Sequence, residues 1–191
     1  IIFGENPLWA VYMPQLKMVS SKDFTDTILQ NYPEAKDFNL IAAGHGYSLS
    51  PDIMPIKVDK EYLKTAILPF EMAEKADIPV WITEISDVNP LDISIHDGLK
   101  WAVTFHNYLT KANVNAIIWW GGAMPTSNNE SLIILDKNRK DFLLSKRYDI
   151  FGNFSRYIPE ESTRIQVTQS SGIPLLISAY KKDDEYTLVT I

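Results

Sequence analysis

Four short runs of apolar, largely β-branched residues punctuate the chain, at 1–3, 40–43, 80–82 and 116–119. None alternates with polar residues, which is the pattern of strands buried on both faces in a parallel sheet. Each run leads into a polar or glycine-containing loop and then into residues spaced for a helix. The first helix is expected to open at Ser21 as N-cap, with Phe24, Ile28 and Leu29 on one face and Pro33 as its stop. A second opens at Asp59 and carries Leu63, Ala66 and Ile67, with Pro69 kinking or interrupting it. The third covers 92–112, with Leu99, Ala102, Phe105 and Leu109 as a buried stripe, and the fourth covers 145–157.

The pattern changes after Ile158. Residues 164–168, 174–181 and 185–191 read as antiparallel strands, with Lys182-Asp183-Asp184 as a turn. Strand and helix repeated four times make half of an eightfold (β/α)8 barrel. Three antiparallel strands make only the start of a second sheet, with an open edge. A half-barrel exposes two parallel edges, so the chain is expected to be a piece of a larger whole. Its first residues read as the middle of a strand without a starting Met. The competing arrangement is a self-contained four-stranded α/β domain.

Composition narrows the partners. The 191 residues suffice for one sizeable core, and 46% of them are hydrophobic. A formal net charge of -6 disfavours nucleic acid and anionic membranes. No apolar run approaches the ~20 residues of a membrane helix. With no cysteine there is no disulfide, thiolate metal site or cysteine nucleophile. Neither a metal-binding spacing nor a phosphate-cradling glycine loop occurs, so no metal and no cofactor are expected. Aromatic side chains beside carboxylates suit a neutral, hydroxylated ligand.

Catalytic groups in barrels sit at the C-terminal ends of strands. Those ends supply Glu5, then His45 with Tyr47, then Glu84, then Trp119-Trp120. Glu84, in Trp81-Ile82-Thr83-Glu84-Ile85-Ser86, is a carboxylate at the end of a buried strand, where desolvation is costly without a partner or a function. A solvated loop glutamate is the plainer alternative. Retaining glycosidases need two carboxylates ~5–5.5 Å apart, one of them the nucleophile, and Glu84 is the candidate for that role. In Gly44-His45-Gly46-Tyr47 the glycines would let backbone approach a ligand, while His45 and Tyr47 bond sugar hydroxyls or the nucleophile. A lone histidine is more often structural, and His96 and His106, on the third helix, read so. Alternation lets only one of the tryptophan pair face the barrel mouth, and Trp120 is the sugar-stacking candidate. Trp119, Trp9 and Trp101 read as packing residues.

At these residues the chain resembles glycoside hydrolase family 30, the xylanase and glucosylceramidase group. The motifs are Ala43-Gly44-His45-Gly46-Tyr47, Trp81-Ile82-Thr83-Glu84, Ala116-Ile117-Ile118-Trp119-Trp120, and Phe154-Ser155-Arg156-Tyr157-Ile158-Pro159 running into Ser162-Thr163-Arg164-Ile165. The resemblance covers essentially the whole chain. It implies barrel strands five to eight over 1–158 and the start of a side β-sandwich over 159–191. It also implies a secreted or periplasmic retaining O-glycosyl hydrolase acting on a β-linked polysaccharide or oligosaccharide, with Glu84 as nucleophile. The family's acid/base glutamate lies in an Asn-Glu-Pro motif after strand four, absent here. Gly4-Glu5-Asn6-Pro7 has the wrong order and follows strand five, so Glu5 is expected to shape the pocket and bind substrate rather than act as the acid. The rest of the barrel is then expected upstream or in another chain.

The resemblance also bears on substrate. Glucuronoxylan-specific members carry a tyrosine two residues after the nucleophile, and a tyrosine and an arginine soon after the strand-eight tryptophan. Ser86, Gly121 and Met124 stand at those positions, leaving no cation for a uronic acid carboxylate. An endo-β-xylanase that does not require glucuronic acid is therefore the leading expectation. A β-1,6-glucanase, a glucosylceramidase-like β-glucosidase, or a non-catalytic carbohydrate-binding relative are the alternatives.

Overall fold

A computed structural model describes residues 1–10, 19–47, 67–170, 172 and 174–191. Four parallel strands, β1 (Ile2–Phe3), β2 (Ile41–His45), β3 (Val80–Ile85) and β4 (Ala116–Trp119), lie side by side in chain order. Each falls on one of the four apolar runs. Helix α1 (Ser21–Asn31) follows β1 and runs into a 3-10 turn, Pro33–Asp37, while α2 (Glu71–Lys75), α3 (Ile95–Thr110) and α4 (Lys146–Ser155) follow the other strands. The protein is thus a mixed α/β fold built on a parallel sheet. Most of the expected second helix, including Asp59, Leu63 and Ala66, lies outside the described residues, but Ile67 is buried and the short α2 begins just after Pro69.

Two helices differ from expectation in cap or face. The N-cap of α1 is Ser20 rather than Ser21: its hydroxyl accepts from the Asp23 amide and donates to the Asp23 carboxylate. The buried face is therefore Ser21, Thr25 and Leu29, and Phe24 faces out. Ser21 donates to the Asn6 carbonyl, and small side chains on this face let α1 lie close to the sheet. On α3 the buried face is Gly98, Trp101, Ala102, Phe105 and Tyr108, while Leu99 is exposed. The aromatic rings, not the leucines, set this helix's orientation. Trp101, Phe105, Phe151, Phe154 and Trp119 meet mostly edge to face, with centroids 4.6–6.4 Å apart. Trp9 packs on Phe70 and Tyr108 at the other end of the core. Trp9, Trp101 and Trp119 are packing residues, as their positions suggested. Helix α4 is capped by Ser145, whose hydroxyl accepts from the Tyr148 amide.

Between β4 and α4 the chain adds a small sheet that the apolar pattern did not announce. Its strands are β5 (Ala123–Met124), β6 (Ile133–Asp136) and β7 (Asp141–Leu144). Residues 137–140 close the β6–β7 hairpin, with Lys140 at φ 52°. The C-terminal strands are β8 (Thr163–Ile165), β9 (Ile177–Lys182) and β10 (Glu185–Thr190), joined in the antiparallel order β10-β9-β8. Asp183, at φ 51°, occupies the expected turn between the last two.

The two glycines of the His45 motif are required by packing. A Cβ on Gly44 would sit 2.5 Å from Ser21 Oγ, and one on Gly46 would sit 2.5 Å from Ile85 Cδ1. Gly46→Ala is expected to lower stability by about 1–3 kcal/mol in urea denaturation, and Ile85→Val in the same chain to recover part of it. Full retention of stability in Gly46→Ala would show that Ile85 moves freely.

Candidate active site

The C-terminal strand ends converge, and an irregularity in β3 sets the geometry. Pairing runs Ala42↔Val80, Ala43↔Trp81 and Gly44↔Ile82, then skips to His45↔Glu84. Thr83 is the extra residue, and a β-bulge shifts the phase of everything after it. Val80, Ile82 and Ile85 are buried in the core beneath the helices, whereas Trp81, Thr83 and Glu84 are only partly covered. In a regular strand Glu84 would share the face of Ile82. The bulge carries it to the other face and returns Ile85 to the core.

There Glu84 meets His45 and Tyr47 from the adjacent strand end. The Tyr47 hydroxyl donates a short hydrogen bond to Glu84 Oε1. His45 Nε2 lies 3.7 Å from Glu84 Oε2 and 3.8 Å from Glu5 Oε1, so one imidazole stands between two carboxylates. The His45 and Tyr47 rings meet edge to face with centroids 5.6 Å apart. Backbone bonds hold the set: the His45 amide donates to the Asn6 carbonyl and the Gly46 amide to the Glu84 carbonyl. Burial, and then the hydrogen bond and negative charge of Glu84, push the Tyr47 phenol well above the ordinary tyrosine range; the Ser86 hydroxyl pulls weakly the other way, and Glu130 adds to the rise. Tyr47 therefore remains a donor at physiological pH.

Trp120 follows β4, with its amide bonded to the Ile85 carbonyl, one residue past Glu84. The residue is 47% exposed and its ring meets no other described aromatic. Glu5, half-exposed, sits just after Gly4, whose φ of 80° turns the chain at the end of β1. All five sequence candidates thus lie at the same edge of the sheet. Four are in direct or near contact, and Trp120 flanks them.

Sequence reasoning missed what supports this edge. Glu130, on the loop before β6, faces Tyr47 electrostatically and accepts from Asn128 Nδ2, while its carbonyl accepts from Trp119 Nε1. Beneath the loops lies a buried ionic network. Arg147, 0% exposed, donates to Asp97 Oδ2 at 2.5 Å, to Asn129 Oδ1, and to the Asp92 and Ser131 carbonyls. Lys100 bridges Asp97 and Asp87 at 2.9 and 2.7 Å. Burial would lower the Lys100 pKa, but the two carboxylates outweigh it and hold it raised. The network ties the loop after β3, where Asp87 follows Ser86, to the loop carrying Glu130. Its partners are up to 55 residues apart, so no local pattern reveals them.

What the cluster can do chemically is hold a carboxylate with one oxygen engaged and the other without a hydrogen bond among the described residues. Oε1 is occupied by Tyr47, and Oε2 points toward His45 at a distance beyond a hydrogen bond. Among the described residues no group of three or more His, Cys, Asp or Glu could hold a metal ion. No helix among them is long and apolar enough to cross a membrane. On the glycosidase reading that the motifs suggest, Tyr47→Phe is expected to lower kcat/KM on an aryl β-glycoside by about 10- to 100-fold in the intact protein, with unchanged circular dichroism. An unchanged rate would separate the phenol from the reaction.

The catalytic domain of a glycoside hydrolase family 30 xylanase, xylanase C of Talaromyces cellulolyticus, matches this chain in structure with a TM-score of 0.65 at 20% sequence identity, over 88% of this chain and 36% of that one. A family 30 subfamily 8 xylanase of Clostridium acetobutylicum matches at 0.56 and 18%, over 89% and 44%. An endo-β-1,6-glucanase matches at 0.59 and 15%, over 91% and 38%. No protein-family profile matches the chain. The chain therefore shares the fold of part of these glycoside hydrolases, and it spans less than half of the length of each. The resemblance read from its motifs has a counterpart in three dimensions.

Proposed function

We propose that this chain forms barrel strands five to eight of a retaining β-glycosidase of family 30 type, over 1–158, followed by the start of a side β-sandwich over 159–191. The observation that carries the reading is Glu84 at a strand end, re-phased by a bulge and held through one oxygen by Tyr47. In this reading Glu84 Oε2 attacks the anomeric carbon while the Tyr47 bond keeps the carboxylate oriented. The acid/base comes from the rest of the barrel, upstream or in another chain. It protonates the leaving oxygen and then activates the water that hydrolyses the glycosyl-enzyme. His45 and Glu5 bind sugar hydroxyls, and Trp120 stacks on a pyranose face. Half-exposed apolar residues on both outer strands of the parallel sheet, Ile2 and Ile118, support continuation of the barrel on either side. Such an enzyme would act outside the cytoplasm.

The substrate is a neutral β-linked glycan, with undecorated xylan as the leading candidate. No cation stands at Ser86, Gly121 or Met124 to meet a uronate. Rates on xylan with and without glucuronic acid side groups are expected to be comparable. Activity confined to the decorated polymer would refute this. The structural likeness to an endo-β-1,6-glucanase keeps β-1,6-glucan as the second substrate to assay.

The deciding experiment treats the intact protein with 2-fluoro-xylosyl and 2-fluoro-glucosyl inactivators and locates the trapped sugar by peptide mass spectrometry. Label on Glu84 is expected, and the faster inactivator identifies the sugar class. A folded protein that binds oligosaccharide but leaves Glu84 unlabelled would favour a carbohydrate-binding relative without this chemistry.

A further inference from the structure

The Glu5 side chain is half-exposed, but the backbone that carries it is firmly fixed. Gly4 turns the chain at φ 80°, and a Cβ there would sit 2.7 Å from Thr25 Oγ1 of α1. The Asn6 carbonyl accepts from the His45 amide at 2.9 Å and from the Ser21 hydroxyl at 3.1 Å. The Asn6 side chain accepts from the Leu8 amide at 3.2 Å. Glu5 is thereby tied to β2 and α1. Among the described residues its carboxylate makes no ion pair except with His45.

The imidazole between the two carboxylates has one hydrogen to share. Its Nδ1 is buried and has no hydrogen-bond partner among the described residues. A proton there would be stranded without an acceptor, so the neutral ring carries its hydrogen on Nε2. Nε2 is nearly equidistant from Glu84 Oε2, at 3.7 Å, and Glu5 Oε1, at 3.8 Å, and is bonded to neither. Tyr47 holds Glu84 Oε1, so Oε2 is the oxygen left to react. A donor engaged with Oε2 would draw electron density from it and would have to be displaced before attack on carbon. A second acceptor beside the same hydrogen holds that donor off.

We propose that Glu5 is a positioning residue, which draws the His45 Nε2 hydrogen away from Glu84 Oε2 and keeps that oxygen unencumbered for attack. The inference rests on Glu84 as nucleophile and gives Glu5 a role beyond holding sugar hydroxyls. In the attack, Oε2 forms its bond to the anomeric carbon as the bond to the leaving oxygen breaks. That oxygen takes its proton from the acid/base, and the His45 hydrogen is not transferred.

The test compares the rate at which a 2-fluoro-glycosyl inactivator labels the intact native protein, Glu5→Gln, His45→Phe and the double variant. Oligosaccharide affinity is measured by calorimetry, and circular dichroism checks each fold. Glutamine matches Glu5 in size and can still bond a sugar hydroxyl, but it is a weaker acceptor, so the Nε2 hydrogen passes to Glu84. Labelling of Glu84 in Glu5→Gln is expected to slow by about tenfold, with oligosaccharide affinity within about twofold of native. Phenylalanine keeps a ring against Tyr47 without the N–H, and His45→Ala repeats the comparison without the ring. In either background Glu5→Gln is expected to have no further effect. Labelling of Glu5→Gln at the native rate would overturn the inference and leave the nucleophile assignment standing. A loss that persists in full without His45 would overturn it too, since Glu5 would then act on the sugar directly. A native protein unlabelled at Glu84 would sink the nucleophile assignment, and this inference with it.

Discussion

On the proposed mechanism, Glu84→Gln is expected to reduce hydrolysis of an activated aryl β-glycoside by at least about 10⁴-fold in the intact protein, because that mechanism runs through a covalent bond to this carboxylate. The substitution is nearly isosteric. Its amide can still accept from the Tyr47 hydroxyl through oxygen, so the local fold should persist. Oligosaccharide binding should therefore remain within a few-fold of the native value, which distinguishes lost chemistry from lost binding. A second readout sharpens this: azide added to a Glu84→Ala variant should restore turnover and give a glycosyl azide of inverted configuration. Native-like activity in Glu84→Gln would remove Glu84 from the mechanism.

The second large effect concerns the buried network under the same loops. Asp97→Ala leaves Arg147, fully enclosed, without its carboxylate and takes one of the two acceptors from Lys100. Stranding a buried charge in this way typically costs about 3–5 kcal/mol, a large share of a domain's total stability. The loss should appear as a lowered urea midpoint. Replacing charge and partner together behaves differently. In an Asp97→Leu, Arg147→Met double variant no lone ion remains, so the pair should be less harmful than either single change predicts. Additive losses would mean that Asn129 and the backbone carbonyls, rather than Asp97, satisfy Arg147.

Much of this architecture was legible because it is local. Four unbroken apolar runs marked the parallel strands, and the helix expected over 145–157 contains α4. The Asp183 turn was readable as well. Faces were harder to read than elements. Hydrophobicity alone favoured Phe24 and Leu99 as buried, whereas α1 turns its small Ser21 and Thr25 inward because close approach to the sheet outweighs side-chain bulk there. Trp101, Phe105 and Tyr108 likewise outcompete Leu99 for the core. The strands β5 to β7 went unread because they occupy a loop in an otherwise regular alternation, although Leu132-Ile133-Ile134-Leu135 is as long an apolar run as those at 40–43 and 116–119. At the site, Glu84, His45, Tyr47, Glu5 and Trp120 were recognisable from their places at strand ends. Glu130, Asp87, Lys100 and Arg147 were not, because their roles arise from contacts between distant segments.

The single extra residue in β3 has a consequence for how the chain can vary in length. Loops after the strands can gain or lose residues without disturbing the sheet, since their ends stay anchored. Removing one residue between Ile82 and Ile85 is a different event. It would erase Thr83's offset, turn Glu84 toward the aromatic layer beneath the helices and expel Ile85 to the solvent side, exchanging a greasy residue for a charged one in the same place. The strand is therefore a ratchet with one permitted tooth: substitutions at Thr83 can be absorbed, but a deletion there should cost both the fold and the placement of the Glu84 carboxylate at once.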